Sequence, residues 1–181
     1  MKLLVAAALS LAVLSARPAA QQVPTDTPDC ASPSTPALKL WCEGAVLWRA
    51  ENFSGAIKPF SKLYDMEKKE RTLSQSPWRV MIDNLGIGYG MSGDLKKAKS
   101  VFEYGISQDP DYPMFYYNLA CTYAEMKDEA TALKYLQEAF ARKANIIVGE
   151  TMPDPLKDDS FARFLGDPNF VAEVKKLTAA Q

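Results

Sequence analysis

The stretch Ile82-Asp83-Asn84-Leu85-Gly86-Ile87-Gly88-Tyr89 returns 34 residues later as Tyr116-Tyr117-Asn118-Leu119-Ala120-Cys121-Thr122-Tyr123, and Ala98 and Phe102 behind it return as Ala132 and Leu136. A fixed interval of this size marks a chain built from stacked supersecondary units, each unable to bury its apolar face alone. A small residue at Gly86 or Ala120 lets two helices approach closely, Ala98 or Ala132 sits opposite, and aromatic knobs fill the space between units. Turn chemistry separates the helices of each unit, at Ser92-Gly93-Asp94 and at Lys127-Asp128-Glu129. No segment alternates with period two for long enough to make a strand, so the expected fold class is all-α.

The spacing resembles the tetratricopeptide repeat, whose pattern W-x2-L-G-x2-Y followed by A-x3-F and a closing Pro is met by the 82–110 copy with Ile82 in place of Trp and Pro110 at the end. The resemblance implies an α-solenoid of about three helix-turn-helix units with a C-terminal helical cap. The repeats fall at about 37–70, 79–112 and 113–146, within a domain spanning 38–146. The first is degenerate: Leu40, Gly44, Leu47, Phe53, Ala56, Phe60 and Leu63 keep the pattern, but Glu43 stands where Leu is usual and Lys68 replaces the closing Pro. Gly86 follows Gly44 by 42 residues rather than 34, and the eight extra residues are assigned to an inter-repeat loop at about 71–78. Residues 147–181 form the capping segment. Asp158-Asp159-Ser160-Phe161-Ala162-Arg163-Phe164-Leu165 resembles the segment that closes many bacterial arrays, and Asp167-Pro168 starts a helix carrying Phe170, Val174 and Leu177 on one face.

Residues 1–20 read as a secretory signal peptide, with Lys2, an apolar run over 3–14 and small residues around Ala16 and Ala20. That run is too short for a membrane span, so no stable membrane insertion is expected after cleavage, and the location implied is periplasmic or secreted. Residues 21–37, with Pro24, Pro28, Pro33 and Pro36, form a Pro/Thr-rich arm. A formal net charge of −1 without a basic block argues against nucleic-acid binding.

Chemistry has little to stand on. The chain has no histidine, which removes the commonest general base and metal ligand, and its three cysteines form no C-x-x-C pair. Gly88-Tyr89-Gly90-Met91-Ser92-Gly93 matches G-x-G-x-x-G, but it lies at the end of a helix rather than between a strand and a helix. No catalytic residue, cofactor or metal is expected. In an oxidising compartment Cys30 in the arm is within reach of Cys42. Cys42 and Cys121, two stacked units apart, would exceed the bridging limit of about 7 Å. The alternative is that all three cysteines are small, semi-buried apolar residues.

In the family this chain resembles, the first helix of each repeat lines a concave groove. The resemblance places Trp41, Trp48, Asn84, Met91, Met114, Tyr117 and Asn118 there. The family's two-carboxylate clamp on a peptide C-terminus is absent, because Trp41, Ala45, Asn84, Met114 and Asn118 occupy its five positions and only Asn84 matches. The expectation is therefore a non-enzymatic interaction module that takes an extended or helical apolar segment of a protein or peptide partner. The alternative is a structural subunit whose groove is permanently filled, by a second copy or by the chain's own arm.

Overall fold

The computed structural model describes residues 28–179. The signal-peptide reading of residues 1–20 and residues 21–27 of the arm lie outside the described residues. Six helices form three antiparallel pairs: α1 (Pro36–Arg49) with α2 (Phe53–Lys69), α3 (Gln75–Met91) with α4 (Leu95–Gln108), and α5 (Pro113–Glu125) with α6 (Glu129–Ala141). A short 3-10 turn, Lys143–Asn145, a long irregular stretch and a 3-10 helix, Asp159–Phe164, lead into α7 (Pro168–Ala179). Among the described residues there is no strand, and no helix is long and apolar enough to cross a membrane.

Each pair is closed at a position with almost no side chain. A Cβ built on Gly44 would lie 2.5 Å from the Phe60 ring, and one on Gly86 would lie 2.3 Å from the Phe102 ring. These distances leave no room for a methyl group, so glycine there is a packing requirement. The third pair solves the same problem with a different division of volume: Ala120 takes the small position and Leu136 faces it in place of Phe, both fully buried.

The turn inside each pair is one device used three times. Glu51, Gly93 and Lys127 take a left-handed conformation, with φ of 57°, 83° and 66°. The next residue, Asn52, Asp94 or Asp128, caps the following helix by accepting from the backbone N–H three positions on. In each turn the N–H of the capping residue also donates back to a carbonyl of the preceding helix, at 2.9 to 3.0 Å.

The eight additional residues of the first unit are only partly loop. Helix α2 has 17 residues where α4 has 14, α3 has 17 where α5 has 13, and the connection 70–74 is one residue longer than 109–112. Buried Glu67 makes this possible. Its carboxylate accepts from the N–H groups of Thr72 and Leu73 and from the Thr72 hydroxyl, which folds the connection tightly and delivers Leu73 to the core. Ahead of α1 the arm is pinned by a disulfide between Cys30 and Cys42, while Cys121 is free.

Substituting Gly86→Ala forces the Phe102 ring to move. Overpacking of this kind costs about 1–3 kcal/mol, against at most about 1 kcal/mol gained in helix propensity. Denaturant unfolding should show a net loss for Gly86→Ala, and the double variant Gly86→Ala/Phe102→Leu, which copies the third pair, should recover most of it. Additive losses in the double variant would contradict the packing argument.

Candidate functional site

Helices α1, α3 and α5 touch one another more closely than α2, α4 and α6 do, so the stack curves with the first helix of each pair on its inner face. The seven residues expected there have three different fates. Trp41 is 5% exposed and its indole N–H donates to the Pro77 carbonyl at 2.9 Å, so it ties α1 to α3 rather than facing a partner. Tyr117 and Asn118 are buried, the latter donating to Asp83 Oδ1 at 2.8 Å. Met114 is half-buried between the two halves of the core. Trp48, edge-on to Phe53, and Asn84 are half-buried, and Met91 is 60% exposed.

What covers the third unit is the chain itself. After α6, residues 146–164 run back across the inner face as a strap. Ile147 joins the core cluster that runs from α1 to α5. Glu150 accepts from the Tyr112 hydroxyl at 2.8 Å. Asp158 accepts from the Tyr117 hydroxyl at 2.9 Å and from the Cys121 thiol at 3.8 Å, while its other oxygen caps the 3-10 helix at the Ser160 N–H. Phe161, fully buried, stands edge-on to Tyr117 and packs on Phe170. At the rim Arg163 pairs with Glu125. Between them these contacts cover α5, while Trp48, Asn84 and Ile87 stay half-buried and Met91 exposed.

Sequence reading puts Tyr117 and Asn118 on the inner face, and in the structure both lie under the strap; it does not name Tyr112, Glu150, Asp158 or Phe161 as their neighbours. The signal available was limited to Pro153, Pro155 and the Asp158-to-Phe161 segment, which point to irregular, capping chain without saying which surface it covers.

The strap brings an acid onto an acid. Burial, reinforced by the nearby charge of Glu150, pushes Asp83 well above the usual carboxylate range, against the hydrogen bonds from Asn118 and Tyr112 and the positive charge of Arg79. Burial likewise raises Glu150, again partly offset by Tyr112, by the Ile147 backbone and by Arg79. The Arg79 guanidinium is itself engaged by Asp109 at 2.7 Å and cannot neutralise both. Burial also pushes the Tyr112, Tyr117 and Cys121 protons to higher pKa, so these groups remain neutral donors at neutral pH.

Docking the strap therefore favours a protonated Glu150. Its contribution is fully present at and below the ordinary range near 4.5 and is lost as pH rises through the raised value. Hydrogen exchange, corrected for its intrinsic pH dependence, should show strap amides losing protection as pH rises above the ordinary carboxylate range. Glu150→Gln, which keeps an acceptor for Tyr112 without the charge, should flatten that dependence. A wild-type strap equally protected within and above that range would contradict the assignment.

Residues 101–134, covering most of α4, all of α5 and the start of α6, match the family model described as tetratricopeptide repeat. The chain carries tetratricopeptide repeats. Neutrophil cytosol factor 2 of Bos taurus is 26% identical over 106 residues, 59% of this chain and 18% of that protein, so the chain spans less than a fifth of that relative's length. Among solved structures, the Sgt2 tetratricopeptide domain of Aspergillus fumigatus superposes with a TM-score of 0.54 at 18% identity, covering 84% of this chain and 87% of that one. PcrH of Pseudomonas aeruginosa superposes with a TM-score of 0.52 at 18% identity over 78% of this chain and 91% of that one. Its complex with the chaperone binding region of PopB gives 0.51 at 17%, over 80% and 94%. At these identities the structures share the tetratricopeptide fold alone.

Proposed function

We propose that this protein is an exported, non-enzymatic interaction module that holds an apolar segment of a protein partner on the uncovered part of its inner face. The observation that carries this reading is the set Trp48, Asn84, Ile87 and Met91: apolar surface and one amide, left open beside a groove that is otherwise closed. Such a floor suits an extended or helical partner segment whose backbone meets Asn84. The similar fold of PcrH, solved with a region of PopB, supports a peptide-holding role for this architecture. The apolar run over residues 3–14 supports export, as does the pairing of Cys30 with Cys42, which needs an oxidising compartment to persist.

Two measurements test the reading. Intact-mass analysis of the exported protein should place the mature start between Arg17 and Gln21, with one free thiol per chain under denaturing, non-reducing conditions. Retention of Met1 or three free thiols would contradict export into an oxidising compartment. For binding, Trp48→Ala and Met91→Ala should weaken co-purification of the envelope partner, with Trp48→Ala costing about 2 kcal/mol or more, roughly thirtyfold in affinity. Circular dichroism should show that each variant stays helical. The interaction should depend weakly on salt, since no cationic clamp is present to be screened. Lys134→Ala, on the exposed side of α6, should change nothing. The strap gives the rival, a structural subunit with a filled groove, its own footing over the third unit, and that rival predicts no effect of either groove variant.

A further inference from the structure

Resting on the reading of the inner face as a partner surface, we propose that the face beneath the strap is a second peptide site, specific for a segment that folds as a short 3-10 turn with a carboxylate at its N-cap and an aromatic ring three residues later, and that the strap is its resident competitor. The contacts that seat the strap over α5 are made by side chains, with no ladder of backbone bonds. The Tyr117 hydroxyl donates to Asp158 at 2.9 Å and the Tyr117 ring receives the edge of Phe161, with centroids 6.0 Å apart. An Asp-x-x-Phe segment that enters in this direction and closes the same 3-10 turn reproduces both contacts on one tyrosine. A hydroxyl donor aimed at a carboxylate beside an aromatic slot is recognition chemistry rather than generic core.

The strap has the form of a tethered ligand. Gly149, with φ of 93°, and the prolines 153 and 155 interrupt any regular structure on its approach. Val148 is 92% exposed, so this part of the strap is applied to the surface by isolated anchors and is not enclosed by it. Its second acid, Glu150, meets the buried Asp83 through the shared Tyr112 hydroxyl, a contact that opposes docking once both are ionised. A segment with Asp-x-x-Phe but no acid at the Glu150 position keeps the favourable anchors and omits the unfavourable one. An external partner of that composition can therefore outcompete a strap held at an effective concentration in the millimolar range.

The test uses the full chain and a fluorescent peptide spanning residues 154–166 added in trans. Wild-type protein should bind it weakly, because the tethered copy competes. Asp158→Ala/Phe161→Ala in the protein should empty the anchors and raise peptide affinity at least tenfold. Adding Tyr117→Phe, which keeps the ring and removes the donor, should reverse most of that gain, and the peptide carrying Phe161→Ala should not bind. Helical content by circular dichroism accompanies each variant. If the double variant does not fold, wild-type protein in excess peptide is followed by hydrogen exchange, where strap amides over 158–164 should lose protection while α5 keeps its own. A folded double variant that binds no better than wild type, or a strap whose protection is unmoved by excess peptide, would overturn the proposal and make the strap a permanent part of the core. Trp48→Ala and Met91→Ala lie outside this site and should leave peptide affinity unchanged, so failure of the peptide test and failure of the uncovered-groove reading are separately visible.

Discussion

The contact on which the rest of the molecule depends is the meeting of a residue without a side chain and a ring. Gly44 with Phe60 and Gly86 with Phe102 bring two helices close enough that a single methyl group would clash, and this closeness fixes how each pair presents its outer edges to the next. A pair set at that separation cannot bury its remaining apolar face. The stack follows, with Trp78, Tyr112 and Phe115 filling the space between second and third units at ring separations of 4.8 to 5.8 Å. The curvature that creates an inner face is the consequence of the small positions lying on one side of every unit. Ala120 with Leu136 shows that the constraint is on the summed volume rather than on either residue.

Repetition of this kind leaves the last unit with an uncovered face, and an uncovered face needs polar or capping chain. Helix α7 meets that need on α6, through Phe170 and Val174. The strap goes further than capping requires, because it closes the inner side of α5 as well as the end of the stack. It does so with polar anchors, Glu150 and Asp158, set beside the apolar ones, Ile147 and Phe161. Polar anchors stabilise less than apolar burial once desolvation is counted, but they make docking conditional on geometry and on protonation.

The fold was largely legible because its information is local and periodic. The 34-residue interval, the small residue in each first helix and the Asx residue opening each second helix are short-range features that recur, and recurrence turns weak signals into a strong one. The helix ends around residues 67–75 were not legible, because a loop assignment ignores that one buried acid, Glu67, can organise the connection and let both helices run on. The inner face was legible as a set of positions and illegible as a surface. Trp41 sits at a groove position by register, yet its partner is the carbonyl of Pro77, 36 residues away, and Tyr117 is at a groove position whose occupant lies 41 residues further on. Periodicity says which way a side chain points; it carries no information on irregular chain that returns to cover it.

That division between covered and uncovered halves also decides how the two carboxylates of the strap should be understood. Asp158 is seated with two donors on one oxygen and a backbone N–H on the other. Glu150 takes the Tyr112 hydroxyl, with partial help from the Ile147 backbone and Arg79, yet burial still raises its pKa and its charge bears on Asp83. The strap is thus firmly anchored at its distal end, near the capping helix, and conditionally anchored at its proximal end, near the open floor of Trp48, Asn84 and Met91. A rise in pH acts on the proximal anchor first, widening the open floor toward α5 while Phe161 still holds. On the proposed reading of this face as a partner surface, its extent would follow the balance between Glu150 and Asp83.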